Sequence, residues 1–290
     1  MEPFKILDGA IGSELIRRGV TLPEHTWSAD SNIKYPDIVG NIHREYVDAG
    51  ADYITTNTFR TTPRAYKKTG NKMPESSAKS SLYKAVELAK YSACNSVQVI
   101  GSIAPLEDCY LPDLFPGKDV AISEFSKLGK WLTDAGVDIL LFETMNSAKE
   151  TEAAIISVQN SGLPIWISFV LKDDYHLLSG DCLIETLNLL KDSPIDTVLI
   201  NCNPLDRSIL AAENIVSNWP HKWGAYPNLG VGEPSSDGYI IHYEKMDRFL
   251  STLEKIIALG PSVIGGCCGS SSYHISKLFK LREQFDCIHQ

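Results

Sequence analysis

Eight short apolar runs recur along the whole chain, and their alternation with helical segments limits the fold more than any other feature. The runs occupy residues 4–7, 53–58, 97–102, 137–142, 164–170, 197–202, 223–228 and 262–266. They are apolar almost throughout, as expected for parallel strands that are buried on both faces. Between them, helical spacing of apolar residues predicts helices at 12–18, 36–49, 74–95, 120–135, 148–160, 181–191, 205–218 and 243–259, and a last helix closes the chain.

Eight strand–helix units in 290 residues predict an α/β fold, a (β/α)8 TIM barrel, with residues 1–290 as a single domain. A glycine-rich polar loop is predicted at 230–242, and no linker or low-complexity tract divides the sequence. A doubly wound open sheet is the alternative. It is disfavoured because the first strand-to-helix turn, at 8–13, does not match a dinucleotide-binding fingerprint.

The charge balance and the cysteine usage limit the possible partners. A net charge of -9 without a basic cluster argues against binding to nucleic acid or to an anionic membrane surface. No apolar run approaches the length of a membrane span, and the N-terminus does not resemble a signal peptide. The seven cysteines show no disulfide-framework spacing. We therefore expect a cytoplasmic protein whose thiols are free or bound to a metal.

Three cysteines follow predicted strands. Cys267 and Cys268 stand between glycines in the stretch Gly-Gly-Cys-Cys-Gly at 265–269, and Cys202 ends the sixth apolar run. Glycine lets the backbone turn sharply, and adjacent cysteines do not easily pair with each other. Three sulfurs around zinc would leave the fourth tetrahedral position open, which is typical of a catalytic zinc site. The alternative is that these cysteines act only as small buried hydrophobic residues.

Other polar residues also lie where the predicted strands end. In a closed barrel these ends converge on one mouth, where the chemistry of such barrels is found. Asp8 and Glu143 would lie across that mouth from the sulfurs, and could form an acid/base pair or hold a cationic group such as an ammonium. Helix capping by Asp8 and a solvated loop position for Glu143 are the structural alternatives. The full set of strand-end residues is Asp8, Thr56, Asn57, Glu143, Asn201, Cys202, Asn228, Cys267 and Cys268.

These motifs resemble the homocysteine S-methyltransferase family over nearly the whole chain. The matching stretches are Leu-Asp-Gly-Ala-Ile-Gly-Ser at 7–13, Gly-Ala-Asp-Tyr-Ile-Thr-Thr-Asn-Thr-Phe at 50–59, Phe-Glu-Thr at 142–144, Asn-Cys at 201–202, Tyr-Pro-Asn at 226–228 and Gly-Gly-Cys-Cys-Gly at 265–269. The resemblance implies a Zn2+ ion bound by Cys202, Cys267 and Cys268. It also implies that homocysteine is bound through Asp8, Gly9, Thr56 and Glu143, with Glu143 facing the amino group. Asn228 completes the predicted substrate-binding set.

The resemblance further implies an enzyme that moves a methyl group from a small donor to the thiol of homocysteine, giving methionine. The zinc-bound substrate thiolate would be the nucleophile, so no catalytic side chain is assigned. The favoured donors are S-methylmethionine and then S-adenosylmethionine. Betaine is less favoured, because Thr144 stands where betaine-dependent relatives carry a tyrosine.

The surroundings of the second strand give conflicting indications about the donor. Trp27 and Phe59 could offer aromatic faces to a sulfonium. Arg60 and Arg64 would repel a cation and could dock an anionic donor or a corrinoid protein. With one barrel accounting for the sequence, we expect the donor to diffuse into the mouth or to be brought by another protein.

Three further alternatives stay open from the sequence. A zinc hydrolase would use the same open position, but it would favour histidine and carboxylate ligands, and the sequence has no His-Glu-x-x-His pattern. A zinc-binding barrel without methyl transfer is the non-enzyme alternative. Selenohomocysteine or another thiol could replace homocysteine as the acceptor.

Overall fold

Eight parallel strands form a barrel in the computed structural model, which describes residues 4–94, 96–231 and 239–288. The barrel strands are β1 (Lys5–Ile6), β2 (Tyr53–Thr55), β3 (Gln98–Ile103), β4 (Ile139–Met145), β5 (Ile165–Phe169), β6 (Thr197–Asn201), β7 (Lys222–Tyr226) and β10 (Val263–Ile264), and β8 (Gly230–Val231) and β9 (His242–Tyr243) form a separate antiparallel hairpin. Their spatial order is β1-β10-β7-β6-β5-β4-β3-β2, and a parallel bridge between Leu7 and Tyr53 joins the two edges. The predicted barrel is confirmed.

The helices pack around the outside of the barrel. They are α1 (Gly12–Arg17), α2 (Ser31–Lys34), α3 (Pro36–Asp48), α4 (Pro63–Lys68), α5 (Pro74–Ala93), α6 (Lys118–Ala135), α7 (Ala148–Val158), α8 (Leu183–Leu190), α9 (Leu205–Asn218), α10 (Met246–Ile257) and α11 (Ser272–Ile288). The short helices α2 and α4 were not predicted. Each is too short to show a helical period in its sequence. Asn95, the predicted end of the third helix, and 232–238 of the predicted polar loop lie outside the described residues. Within the described ranges, no helix has the length and apolar character needed to span a membrane.

Alternation along the strands divides the apolar side chains between two cores. On β4, Ile139 and Leu141 pack inside the barrel, whereas Leu140 and Phe142 pack outward against the helices. The same period of two holds on the other strands, because successive side chains of a strand point to opposite faces. The inner core consists of Leu7, Ile100, Ile139, Leu141, Trp166, Leu199, Tyr226, Val263 and Cys267.

Aspartates that precede the strands tie neighbouring strands together at the end opposite the mouth. The Ile6 amide donates to Asp52 Oδ2 and the Val99 amide donates to Asp138 Oδ2, both at 2.7 Å. Each bond supplements the backbone ladder between a strand and its neighbour, and so helps to fix the strand register. The strand register in turn determines which residues reach the mouth.

His43, on α3, makes the stability of the fold sensitive to acid. Its side chain is fully buried, and neither ring nitrogen has a hydrogen-bond partner among the described residues. Burial lowers the pKa of His43 from 6.5 to about 4. Because the unfolded chain binds this proton at a higher pH than the folded chain, stability is lost as the pH falls from about 6.5 to about 4, by up to about 3 kcal/mol.

We therefore expect the free energy of unfolding of His43→Leu to fall less at acidic pH than that of the parent protein. Urea unfolding at pH 7.5 and pH 5 would show a loss for the parent protein that exceeds the loss for His43→Leu by about 2 kcal/mol. The exposed His242, replaced by glutamine, provides the control and should keep the parent's pH dependence. Equal acid losses in the parent and in His43→Leu would contradict this prediction.

Candidate active site at the barrel mouth

The top layer of side chains inside the barrel is polar. Near the middle of the strands the inward-facing residues are apolar. Towards the carboxyl ends of the strands, the inward-facing residues carry hydroxyl, carboxyl and amide groups instead. These inward positions are Thr55, Ser102, Glu143, Ser168, Asn201 and Tyr226. The floor of the mouth is therefore a hydrogen-bonded layer above an apolar core.

A bulge at the end of β4 positions Glu143. Phe142 pairs with Ile167 but Met145 pairs with Phe169, so β4 carries one extra residue against β5. Within the bulge, Thr144 has φ +61°, which is unusual for a β-branched residue. Asn201 compensates, because its Oδ1 accepts from the Thr144 amide at 3.0 Å and its Nδ2 donates to Thr144 Oγ1 at 2.9 Å.

The Glu143 carboxylate is held by two hydroxyl groups. Ser102 Oγ donates to Oε1, and the Tyr226 hydroxyl donates to Oε2 at 3.3 Å. Burial raises the pKa of Glu143, and the two hydrogen bonds oppose this rise. The group is therefore a fixed acceptor in a partly desolvated place.

Asp8 is a second carboxylate in the same mouth. It is buried and accepts from the Thr55 amide at 2.8 Å and from Thr55 Oγ1 at 3.1 Å. Burial raises the pKa of Asp8 well above its usual value, the bonds from Thr55 oppose this, and the charge of Glu143 adds to the rise. Among the described residues, neither Asp8 nor Glu143 forms an ion pair with a cationic side chain, and both are held by hydroxyl and amide donors instead. A cation bound beside both carboxylates would stabilise their charged forms.

Gly9 lets the first strand end pack tightly against the cysteine loop. A Cβ at this position would lie 2.6 Å from Ser270 Oγ and 2.7 Å from the Tyr46 hydroxyl, so a larger residue does not fit without a shift. The next amide, that of Ala10, donates to Ser270 Oγ at 3.0 Å. The Asp8–Gly9 turn therefore has a fixed position relative to the cysteines.

Thr56 uses most of its hydrogen-bonding capacity inside the protein. Thr58 Oγ1 donates to the Ser102 carbonyl at 2.6 Å, so Thr56 must supply the hydrogen of the 2.7 Å bond between the two threonine hydroxyls. Thr56 Oγ1 also accepts from the Ser102 amide at 3.2 Å. The two threonines fix the backbone of Ser102. Thr56 is buried, and substrate contact by its remaining lone pair stays a prediction.

Asn228 and Asn57 shape loops at the mouth. Asn228 Oδ1 accepts from the Gly230 amide at 2.8 Å, and its own amide donates to the Asn203 carbonyl at 2.9 Å. Asn57 Nδ2 donates to Asn32 Oδ1 at 2.8 Å and thereby ties the end of β2 to α2. Substrate contact by Asn228 stays a prediction.

The three predicted metal ligands come together. Cys202 follows β6, Cys267 and Cys268 follow β10, and their sulfur atoms all lie within 4.8 Å of one another. The sulfurs of Cys202 and Cys268 are 3.6 Å apart. Sulfurs that share a tetrahedral zinc ion at the usual bond length lie about 3.8 Å apart, so this spacing fits a metal held by thiolates.

One pair of these sulfurs is oxidised in the structure. Cys202 and Cys267 form a disulfide bond across 65 residues of sequence, with their Cα atoms 5.5 Å apart. The sequence predicts free or metal-bound thiols at both positions, and metal binding by all three sulfurs stays a prediction that their clustering supports. Thiols that lie close enough to share a metal are also close enough to pair with each other. Binding of a metal by all three therefore requires reduction of the disulfide.

Backbone hydrogen bonds hold the cysteine loop in place. The Cys267 amide donates to the Pro227 carbonyl, and the Leu229 amide donates to the Cys268 carbonyl, both at 2.9 Å. Gly265 allows close packing, because a Cβ there would lie 2.8 Å from the Leu7 Cβ. Burial raises the pKa of the Cys268 thiol to about 11, so a metal would be needed to keep it as a thiolate near neutral pH.

The residues near β2 that the sequence analysis considered for donor binding have partners inside the protein. The Arg60 guanidinium donates to the Glu107 carbonyl at 2.5 Å and lies 5.4 Å from the Phe59 ring centroid. Arg64 forms ion pairs with Glu107 and Glu124. Trp27 is partly buried against the outer core. Substrate contact by Trp27 or Phe59 stays a prediction. Of the two arginines, Arg64 is ion-paired, whereas Arg60 donates to backbone carbonyl groups.

Sequence reasoning missed Thr55, Ser102 and Tyr226, which hold the two carboxylates. All three lie within predicted strands rather than after them. A useful signal was available: each is a hydroxyl residue two positions beyond an inward-facing residue near the end of its strand. Strand parity would have placed them beside the mouth.

Comparisons with known proteins give consistent findings. A model of the family described as homocysteine S-methyltransferase matches residues 5–281. The homocysteine S-methyltransferase of Escherichia coli (strain K12) is 30% identical over 94% of this chain and 93% of its own length. A selenocysteine methyltransferase of Astragalus bisulcatus is 25% identical over 95% of this chain and 91% of its own length. The metallated crystal form of the E. coli homocysteine methyltransferase MmuM superposes with a TM-score of 0.84 at 26% identity, covering 97% of this chain and 96% of that one.

Proposed function

Because this chain belongs to the homocysteine S-methyltransferase family, we propose that it transfers a methyl group from a small donor to the thiol of homocysteine, giving methionine. One observation carries the proposal. The same mouth holds three cysteine sulfurs within 4.8 Å of one another and two carboxylates that form no ion pair among the described residues. A substrate with a thiol at one end and an ammonium at the other complements both groups.

The metal in this proposal is Zn2+, held by Cys202, Cys267 and Cys268 once the disulfide is reduced. The spacing of the sulfurs and their fixed loop support this ligand set. When bound, zinc would supply the Lewis acidity that lets a fourth thiol coordinate as a thiolate near neutral pH. Three protein ligands leave the fourth position for that thiol.

The remaining residues would bind and orient the acceptor. Glu143 and Asp8 accept hydrogen bonds from the ammonium group, and Thr56 has one lone pair for the same purpose. Gly9, packed against Ser270, would present the first turn to the substrate in a fixed position, and Asn228 would shape the loop after β7. No side chain is assigned as a nucleophile. Alignment of the two substrates can supply several kcal/mol of the barrier, up to about 7–11 in favourable cases.

The donor we propose is a sulfonium, S-methylmethionine first and S-adenosylmethionine second. A sulfonium leaves as a neutral thioether, so the protein need not protonate the leaving group. The carboxylates of the mouth favour a cationic donor. Arg64 is ion-paired with Glu107 and Glu124, which weakens the case for an anionic donor or a corrinoid protein docking there. Betaine and a methylcorrinoid remain the alternative donors.

The test is a donor panel with reduced, zinc-loaded protein and deuterium-labelled L-homocysteine. The label separates methionine made from homocysteine from the methionine that S-methylmethionine leaves behind. We expect labelled methionine with S-methylmethionine, less with S-adenosylmethionine, and little with betaine, methyltetrahydrofolate or methylcobalamin. Labelled methionine formed only from methylcobalamin would refute the proposed sulfonium donor. It would leave homocysteine as the proposed acceptor.

The same panel addresses the alternatives. Bound zinc without product from any donor would favour a zinc-binding barrel that does not transfer methyl groups. Competition between homocysteine and selenohomocysteine would decide the acceptor, and selenocysteine belongs in the same panel because one relative is a selenocysteine methyltransferase. We further propose that residues 1–290 act as one domain in the cytoplasm on small molecules, without a nucleic-acid or membrane partner, consistent with the net charge of -9.

A further inference from the structure

Two buried hydroxyl groups from strands on different sides of the barrel fix the orientation of Glu143. Ser102, on β3, donates to Oε1, and Tyr226, on β7, donates to Oε2 at 3.3 Å. Both residues are almost inaccessible to solvent, at 2% and 3% exposure. The carboxylate is thus held at both oxygens by groups that belong to the barrel itself rather than to its loops.

The supporting bonds leave Ser102 little freedom to move. The Ser102 carbonyl accepts from Thr58 Oγ1 at 2.6 Å, and its amide donates to Thr56 Oγ1 at 3.2 Å. A hydroxyl has a single hydrogen, and Ser102 directs its own to Glu143. The Tyr226 ring packs in the inner core. The Ser102 hydroxyl and the Tyr226 oxygen therefore both have fixed positions beside the carboxylate.

Two neutral donors keep Glu143 in place without neutralising it. Burial raises the pKa of Glu143 because it destabilises the charged carboxylate. Such a carboxylate is stabilised most by a ligand that brings a positive charge. A ligand without that charge leaves the carboxylate desolvated and without a counter-charge, which is costly. The two hydroxyls therefore hold Glu143 in the position where it can interact with an ammonium group of the ligand.

We propose that Tyr226 and Ser102 are positioning residues that make the site selective for thiols carrying an α-ammonium group. This inference rests on the proposed function, because it takes Glu143 as the partner of the acceptor's ammonium. It concerns discrimination between acceptors rather than the methyl transfer itself. Loss of either hydroxyl should lower the preference for an amino thiol and leave the binding of a thiol without the amino group largely unchanged.

The test compares two thiols that differ only in the amino group, L-homocysteine and 4-mercaptobutanoate. Their Kd values are measured on reduced, zinc-loaded protein by calorimetry. For Tyr226→Phe we expect the Kd of homocysteine to rise about tenfold and that of 4-mercaptobutanoate to change less than about twofold. Methyl transfer to homocysteine should show a higher KM with kcat largely retained, because the groups around the sulfur are untouched.

Two further variants complete the comparison. Ser102→Ala should lower the same selectivity, and it decides the question if Tyr226→Phe does not fold. Tyr53→Phe is the matched control: Tyr53 lies in the barrel interior against Trp166, with ring centroids 5.1 Å apart, and does not contact Glu143. Its selectivity should equal that of the parent.

Equal losses for both thiols, or no loss for either, would overturn the inference. The binding comparison does not depend on the donor or on turnover. Failure of methyl transfer from every donor would therefore reject the proposed activity, while the Kd ratio would still decide whether the two hydroxyls confer selectivity.

Discussion

Replacing Cys267 by alanine will remove bound zinc and methyl transfer together while leaving the barrel folded. Cys267 supplies one of the three sulfurs that lie within 4.8 Å of one another, and alanine offers no ligand. Loss of a partner in the outer shell of a metal site already costs about 10- to 100-fold in affinity, so loss of a direct ligand should cost more than about 100-fold. The fold should persist because the barrel has its own inner and outer cores.

The measurement combines zinc content, determined by mass spectrometry after reduction and dialysis, with methionine formation and thermal unfolding. Cys182→Ala is the control, since Cys182 is a half-buried cysteine at the start of α8 that does not belong to the sulfur cluster. It should keep both zinc and activity. Full zinc occupancy and full activity in Cys267→Ala would show that the sulfur cluster is not the metal site.

Replacing Glu143 by alanine should weaken homocysteine binding by about 10- to 150-fold and leave the zinc content unchanged. A hydrogen bond to a charged group contributes about 1.5–3 kcal/mol, and this range converts to the stated change in Kd. Glu143 is not one of the clustered metal ligands, so zinc should remain bound. Calorimetry with reduced, zinc-loaded protein measures the change.

Glu150→Gln is the control for loss of a buried carboxylate. Glu150 is 2% exposed and accepts from the Leu106 amide at 2.8 Å, so its role in the described structure is to hold the loop after β3. This variant should keep the parent's Kd for homocysteine. An unchanged Kd in Glu143→Ala would assign Glu143 to the scaffold rather than to the ammonium site.

The alternation of apolar runs was enough to predict the barrel, because parallel strands buried on both faces leave a clear pattern of that kind. It also placed Asp8, Glu143 and the three cysteines at one mouth, since all of them follow predicted strands. Convergence of strand ends is a property of the closed barrel and does not depend on details of the side chains.

The finer geometry could not be predicted in the same way. The sequence indicated that the fourth strand ends at Phe142, whereas β4 continues to Met145 through a bulge with Thr144 at positive φ. A β-branched residue carries no signal for that conformation, which persists because Asn201 bonds to it from another strand. The disulfide between Cys202 and Cys267 is equally hidden, because 65 residues separate the two in sequence.

Asn201 also connects the two halves of the mouth. Its amide holds Thr144, the residue after Glu143, and its nitrogen faces the Cys267 sulfur at 3.9 Å. A single buried side chain therefore contacts both the carboxylate end and the sulfur end of the mouth. Under the proposed function, the acceptor would have to span the distance between these two ends. Homocysteine and selenohomocysteine, which have the same number of methylene groups, would both fit that distance.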